Sequence, residues 1–263
     1  MGGAPCPVPP NCLSLGDGGP ATGASLAYPL GVAADRNGNL FIADSAHALV
    51  RKVTPDGTIT TIAGNGKWPA FGAPVGGPAA DAAIGPVYSV AIDDTGNLFI
   101  ATGSLLKVST DGLLSALHSG LATATSVAVD RSGNLYVSGS QCDNNPVEEE
   151  EMCWGVIERF NPNGGVTPIA GSVDSTVDAS AMVVTATGDL LITGAYRGVV
   201  SKIDSNGIIT TIAGTGSYGY SGDGGAATKA TLSYATGLAL DGAGTIYVSD
   251  VANGAVRVLR PSR

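Results

Sequence analysis

Few residues in this 263-residue chain have the type and spacing for reactive chemistry. There are two histidines, His47 and His118, and the obvious orienting carboxylate for the first is Asp44. A hydrolytic triad needs a nucleophile, an imidazole and a third group that aligns the imidazole, and no Gly-x-Ser-x-Gly elbow supplies the first of these. His47 is therefore expected to cap its loop, and His118 to sit at a surface or packing position. Four cysteines, Cys6, Cys12, Cys142 and Cys153, lie outside the apolar runs, two of them bracketing Pro7–Asn11. Three pairings are open, and the two local ones need least chain movement. Zinc has little support without a Cys-x-x-Cys pair and with histidine so scarce. Disulfides place the domain in an extracellular or periplasmic setting. Asp35-Arg-Asn-Gly-Asn39 has a fragment of a calcium loop, without its terminal Glu. The run Glu148–Glu151 is the densest charge in the chain and is expected at a solvated loop tip. No cofactor is expected, and calcium is the one ion these acidic residues keep in view.

The elements that would position such groups repeat. A phrase of the form Asp-x-x-Gly-Asn-Leu-aromatic-Ile has its glycine at Gly38, Gly96, Gly133, Gly188 and Gly244. Three residues earlier stand Asp35, Asp93, Asp130, Thr185 and Asp241. After each glycine comes a run apolar on both faces, such as Leu40–Ala43 and Leu98–Ala101, suited to a sheet covered on both sides. A shorter strand precedes the phrase. A third strand carries Lys52, Lys107, Arg159 and Lys202, with Val258 breaking the series. Turn chemistry then follows in Pro55-Asp-Gly57, Thr110-Asp-Gly112, Pro162-Asn-Gly164 and Ser205-Asn-Gly207. A fourth strand closes the unit, as in Ile59–Ala63 and Ile209–Ala213. Repeated four-stranded antiparallel units predict an all-β protein, a β-propeller with five repeats detected. A six-bladed or incomplete ring is the alternative.

The phrases Gly16–Thr22 and Ser221-Gly-Asp-Gly-Gly-Ala-Ala-Thr228 recur as linkers, with an echo at Val75–Asp81. Asp44, His47 and Arg51 in the first unit match Asp250, Asn253 and Arg257 in the last. From about Gly16 to Leu259 the chain resembles NHL-repeat β-propellers of secreted bacterial proteins. Thr102, Gly139 and Gly194 depart from that pattern where it carries Asp. The resemblance implies binding modules and lyases alike, because fold is not function. The expected organisation is a Pro- and Cys-rich segment over 1–15, available for ring closure, and an NHL-type propeller over 16–263. Propellers usually close with a strand from the other terminus, and here Val8–Leu15 is Pro-rich and a poor strand. The fifth unit stops after Ala255–Leu259, which would leave an unpaired edge.

Composition narrows the function. A 44% hydrophobic content and mean hydropathy of +0.24 give ample core for one domain. The net charge of −9 disfavours nucleic acid, which needs clustered Lys and Arg, and anionic membranes alike. No apolar run is long enough to cross a bilayer, and the first residues have no secretory-leader pattern. The positions where innermost strands begin contain no His, Glu, Asp, Lys or Arg; Tyr28, Asp178 and Tyr234 stand just outside them. The long loops bring aromatic residues to one face. The candidate ligand-binding residues are Trp68, Phe71, Tyr88, Trp154, Tyr196, Tyr218 and Asp178, with no catalytic residue assigned. Aromatics among polar neighbours suit protein or glycan recognition. The favoured expectation is a non-catalytic extracellular binding or assembly module. A propeller lyase or hydrolase with a divalent metal near Asp178 is the alternative. A second is a self-assembling subunit joined through the incomplete last blade.

Overall fold

The computed structural model describes residues 15–69, 75–117, 121–142, 153–170, 179–194 and 196–260. Phe71, His118, Glu148–Glu151, Asp178, Cys6 and Cys12 lie outside these residues, as does nearly all of the Val8–Leu15 segment. The chain divides into two compact units, Met1–Ser119 and Gly120–Arg263.

The first unit holds two four-stranded antiparallel blades. One consists of β1 (Pro29–Ala34), β2 (Leu40–Asp44), β3 (Leu49–Val53) and β4 (Ile59–Ala63). The other consists of β5 (Ser89–Ile92), β6 (Leu98–Ala101), β7 (Leu105–Val108) and β8 (Leu114–Leu117). Phe41, Ala43, Val50 and Ala63 from one blade share a core with Val90, Leu98, Ile100 and Leu106 from the other.

The second unit holds three. Its first blade is β9 (Thr123–Val129), β10 (Leu135–Cys142), β11 (Cys153–Phe160) and β12 (Val166–Ala170). The next is β13 (Ala181–Val184), β14 (Leu190–Gly194), β15 (Val199–Ile203) and β16 (Ile209–Ala213). The last has three strands, β17 (Ala235–Leu240), β18 (Ile246–Asp250) and β19 (Ala255–Leu259). The fold class is thus an all-β propeller with five blades, as the repeats predict.

The repeated phrase is a side-chain-locked hairpin turn. Asp35 Oδ1 accepts the backbone N–H groups of Asn37 and Asn39, each at 2.9 Å, and Asn39 Nδ2 donates to Oδ2 at 2.6 Å. Asp93 and Asp130 repeat the arrangement with Asn97 and Asn134, Asp241 repeats its backbone half with Ala243 and Thr245, and Thr185 substitutes a hydroxyl that accepts Asp189 N–H at 3.0 Å. These are Asx turns, in which the carboxylate serves its own backbone. The basic series has a cross-strand purpose. Lys52 lies 5.9 Å from the Phe41 ring centroid and Lys107 5.9 Å from that of Phe99, within cation–π range. Lys202 instead approaches Asp189 at 3.7 Å, and Val258 faces Tyr247.

Cys142 and Cys153 form a disulfide across the ends of β10 and β11, with Cα atoms 4.1 Å apart. The covalent bond fits a compartment outside the reducing cytosol. Among the described residues no helix is long and apolar enough to cross a membrane.

Candidate recognition surface

Two matched networks fix the loops that enter the first and last blades. In the first, the buried Arg51 donates to Asp17 at 2.6 Å, to the carbonyl of Leu15 at 3.1 Å and to Asp44 at 3.5 Å. Asp44 also accepts Ala27 N–H at 2.7 Å and contacts His47 Nδ1 at 2.9 Å. In the last, Arg257 donates to Asp223 at 2.7 Å, to the carbonyl of Ser221 at 2.9 Å and to Asp250 at 3.3 Å. Asp250 accepts Ser233 N–H at 2.6 Å, and Asn253 Nδ2 donates to it at 2.9 Å. Every member has its counterpart at one constant offset: Asp17 with Asp223, Ala27 with Ser233, Asp44 with Asp250, His47 with Asn253, Arg51 with Arg257.

At Asn253 an amide makes the matching contact with Asp250 and also bonds the Gly219 carbonyl, so the carboxylate contact that His47 makes is one that a non-titrating side chain also serves. The Asp44–His47 pair has an orienting carboxylate, yet Ala27 N–H and Arg51 already engage that carboxylate, and the arginine in turn binds Asp17 and the carbonyls of Leu15 and Ser25. Among the described residues no group of three or more His, Cys, Asp and Glu side chains is arranged to hold a metal ion.

The same loops display tyrosines. Tyr234, immediately before β17, has φ 54, and its counterpart Tyr28, immediately before β1, has φ 48. A left-handed conformation at a bulky L-residue costs roughly 1–2 kcal/mol. It is held here because the flanking Ala27 and Ser233 are tied down by Asp44 and Asp250. In the second unit this conformation presents the Tyr234 ring to two neighbours. Tyr218 stacks on it, with centroids 5.6 Å apart and planes within 5°. Tyr196 meets it edge-on at 5.9 Å. Tyr218 Oη donates to the Tyr196 carbonyl at 2.8 Å, joining the β14–β15 loop to the β16–β17 connection. All three rings remain exposed, at 72% for Tyr196, 54% for Tyr218 and 43% for Tyr234. Behind them, Ser233 Oγ accepts Gly219 N–H and Asn253 donates to the Gly219 carbonyl. Tyr220 is spent on the scaffold, its ring 4.9 Å from the Arg257 guanidinium.

The other candidate positions are dispersed. Trp68 is exposed after β4, and Tyr88 donates its backbone N–H to Ala101 at the entry to β5. Trp154 lies half-buried in β11, opposite Gln141 and next to the disulfide. The structure brings Tyr196 and Tyr218 together and adds Tyr234, which sequence reasoning placed beside the innermost strand rather than in a binding set. Its match to Tyr28 in the two fullest repeats was the available signal.

Comparison with known proteins agrees with the fold. Residues 2–75 match the Teneurin NHL domain family. Over 281 aligned residues the chain is 25% identical to Teneurin-1 of Mus musculus and of Homo sapiens, and over 285 residues 24% identical to Teneurin-4 of Mus musculus. The aligned stretch covers 93% of this chain and 8% of Teneurin-1. The chain is an NHL-repeat β-propeller. Among solved structures, this NHL propeller resembles the virginiamycin B lyase of Staphylococcus aureus, with a TM-score of 0.52 at 13% identity over 88% of this chain and 69% of that one. A streptogramin B lyase gives 0.53 at 12% identity, over 88% of this chain and 68% of that one. These likenesses are of fold alone.

Proposed function

We propose that this NHL propeller is a non-catalytic extracellular recognition module that binds a protein or glycan through the tyrosine platform of its second unit. One observation carries the reading: the parallel Tyr218–Tyr234 pair stays exposed while hydrogen bonds fix the loop beneath it. An aromatic surface that is rigid before binding loses little conformational entropy on contact. Two parallel rings with Tyr196 edge-on to one of them offer exposed aromatic area, with the Tyr218 hydroxyl spent on holding the loops together. That combination suits a sugar face or an extended peptide. Trp154, in the same unit, is a further contact residue in this reading, and Trp68 and Tyr88 of the first unit are separate candidate contacts. The alignment with teneurins supports a binding or assembly role, and the disulfide supports an extracellular one.

The test is binding of the oxidised protein to immobilised glycan and synthetic-peptide panels, repeated with Tyr218→Ala and Tyr234→Gly. Glycine accepts the backbone angle at 234, so that change removes the ring without adding strain. A ligand weakened about tenfold by either change supports the platform, in line with about 1 kcal/mol for an aromatic pair contact. Ligands retained at full affinity by both variants would refute it.

A further inference from the structure

The exposed phenols of the second unit are arranged for a covalent reaction as well as for contact. The geometry points to Tyr218 and Tyr234 as a site of oxidative coupling, where a peroxide-fed haem peroxidase joins the two rings as an internal dityrosine. The pair is held in register by the chain around it. Ser221 and Thr231 form an isolated antiparallel bridge, with their hydroxyl oxygens 2.9 Å apart. Counting outward from that bridge puts Gly219 opposite Ser233 and Tyr218 opposite Tyr234. The bonds follow the count: Gly219 N–H donates to Ser233 Oγ at 2.9 Å, and Ser233 N–H to Asp250 at 2.6 Å. The tyrosines one step further out stack with centroids 5.6 Å apart and planes within 5°, the spacing of offset rings in contact. Tyr218 Oη is anchored on the Tyr196 carbonyl, and both rings of the pair stay open to an oxidant.

Two other tyrosines serve as contrasts. Tyr196 meets Tyr234 at 72°, and an edge aimed at a ring face does not bring two ortho carbons together. Tyr28 shares the left-handed backbone of Tyr234 and is more exposed, at 74%, but has no ring beside it among the described residues. The chemistry balances with hydrogen peroxide as oxidant and the haem peroxidase dividing its oxidising power into one-electron steps. Each ring gives up one electron and its phenolic proton, leaving a phenoxyl radical with spin at the carbons ortho to oxygen. One ortho carbon of each ring joins the other in a C–C bond. Each of these carbons then loses its hydrogen, and each oxygen regains a proton as aromaticity returns. Two phenols and one peroxide thus give one biphenol and two waters: two C–H bonds and the O–O bond break, while one C–C bond and two O–H bonds form. Groups already held together react at effective concentrations far above those of separate molecules. The product is a second covalent closure in this unit, beside Cys142–Cys153, and one that a reductant does not open. No ligand is needed, so the coupling stands apart from whatever the platform binds.

The test treats the intact, disulfide-bonded protein, at high dilution, with a haem peroxidase and hydrogen peroxide. Dityrosine fluorescence, intact mass and tandem mass spectrometry of a digest are the readouts. The expected product is a monomer lighter by two hydrogens, its dominant link joining Tyr218 to Tyr234, in a yield unchanged by further dilution. Tyr218→Phe and Tyr234→Phe keep a ring in the stack but remove the phenol, and each should lower the monomer's dityrosine signal about tenfold. Ser233→Ala breaks the clip beside the pair and should lower it severalfold. Tyr28→Phe should leave it unchanged, and so should Tyr196→Phe, which keeps the carbonyl that anchors Tyr218. Links confined to dimers and rising with protein concentration would overturn the proposal. So would a monomer whose dominant link joins other tyrosines, or one whose Tyr218 and Tyr234 are hydroxylated rather than joined. Rings left unchanged under conditions that couple free N-acetyltyrosine would overturn it too. The map made on the unaltered protein decides the question, and the variants locate its cause.

Discussion

Asp44 and Arg51, neither with any side-chain exposure, meet at 3.5 Å inside the first blade, seven positions apart on adjacent strands. The pair closes a loop that otherwise has only short polar segments to hold it, because Arg51 simultaneously collects Asp17 and the Leu15 carbonyl. Removing the cation strands a buried carboxylate. Arg51→Met should cost about 3–5 kcal/mol, the range for breaking one half of a buried ion pair. Denaturant midpoints would show it. A loss below about 1 kcal/mol would mean that Asp44 finds other partners.

Glu158 occupies the β11 position that Arg51 holds in β3, and burial pushes its carboxyl above the ordinary value of 4.5. Its Oε2 has no hydrogen-bond partner among the described residues. A carboxyl raised on folding favours the folded state below the unfolded value, and that contribution is lost as pH climbs through the higher folded value. At neutral pH the charge therefore opposes folding. Glu158→Gln should stabilise the protein by about 1–3 kcal/mol at pH 7. Thermal melts from pH 4 to 7 should show the gain shrinking toward the acid end.

The turn carboxylates behave in the opposite sense. Burial works to raise the Asp93 carboxyl, but bonds from Asn97 and Thr95 outweigh it and hold the group below 3.8. Its contribution is complete above 3.8 and is lost as pH falls through the lower folded value. Asp93→Asn should cost about 1 kcal/mol at pH 7 and progressively less in acid, as read by unfolding at several pH values. A pH-independent loss would argue against this assignment.

Gly222 and Gly224 form a controlled pair. Both have positive φ, +89 and +78, but a Cβ at 222 would lie 2.5 Å from Ala230 Cα, while one at 224 meets open space. Gly224→Ala should cost about 1 kcal/mol and Gly222→Ala at least twice that. Equal melting temperatures for the two variants would contradict the packing described.

The double change Cys142→Ser with Cys153→Ser should loosen the β10–β11 loop and leave the blades folded. The bond spans 11 residues of sequence, at the far end of an eight-residue strand pair. Chain-entropy reasoning assigns about 3 kcal/mol to a loop of that order. Faster proteolysis between 143 and 152 with circular dichroism retained is the expected result; loss of the β signal would oppose it.

Strand content, turns and the count of five blades were legible because each repeat restates them: Asp35, Asp93, Asp130 and Asp241 all perform the same Asx turn. The Cys142–Cys153 pairing was legible from locality. The tyrosine platform was not. Tyr196 and Tyr218 could be assigned to neighbouring loops, but Tyr234 joins them only through a left-handed backbone that no residue type announces. Glu158 gave no warning either, since its burial depends on its register with Arg51 rather than on its neighbours in sequence.

The identical segments Ile59–Ala63 and Ile209–Ala213 have a consequence for how the chain finds its fold. A refolding molecule has two equal copies of Ile-Thr-Thr-Ile-Ala and at least two third strands able to receive them, so side-chain chemistry alone leaves the assignment degenerate. What breaks the tie is distance along the chain. The tight turns at Pro55–Gly57 and Ser205–Gly207 bring each copy to its own partner over a few residues, whereas the exchanged pairing must close a loop of well over a hundred, at an entropic disadvantage of a few kcal/mol and a far lower closing rate. These turns thus assign each copy to its own partner by speed of closure, and lengthening or loosening them would show itself first as misfolded, strand-exchanged species rather than as lost stability.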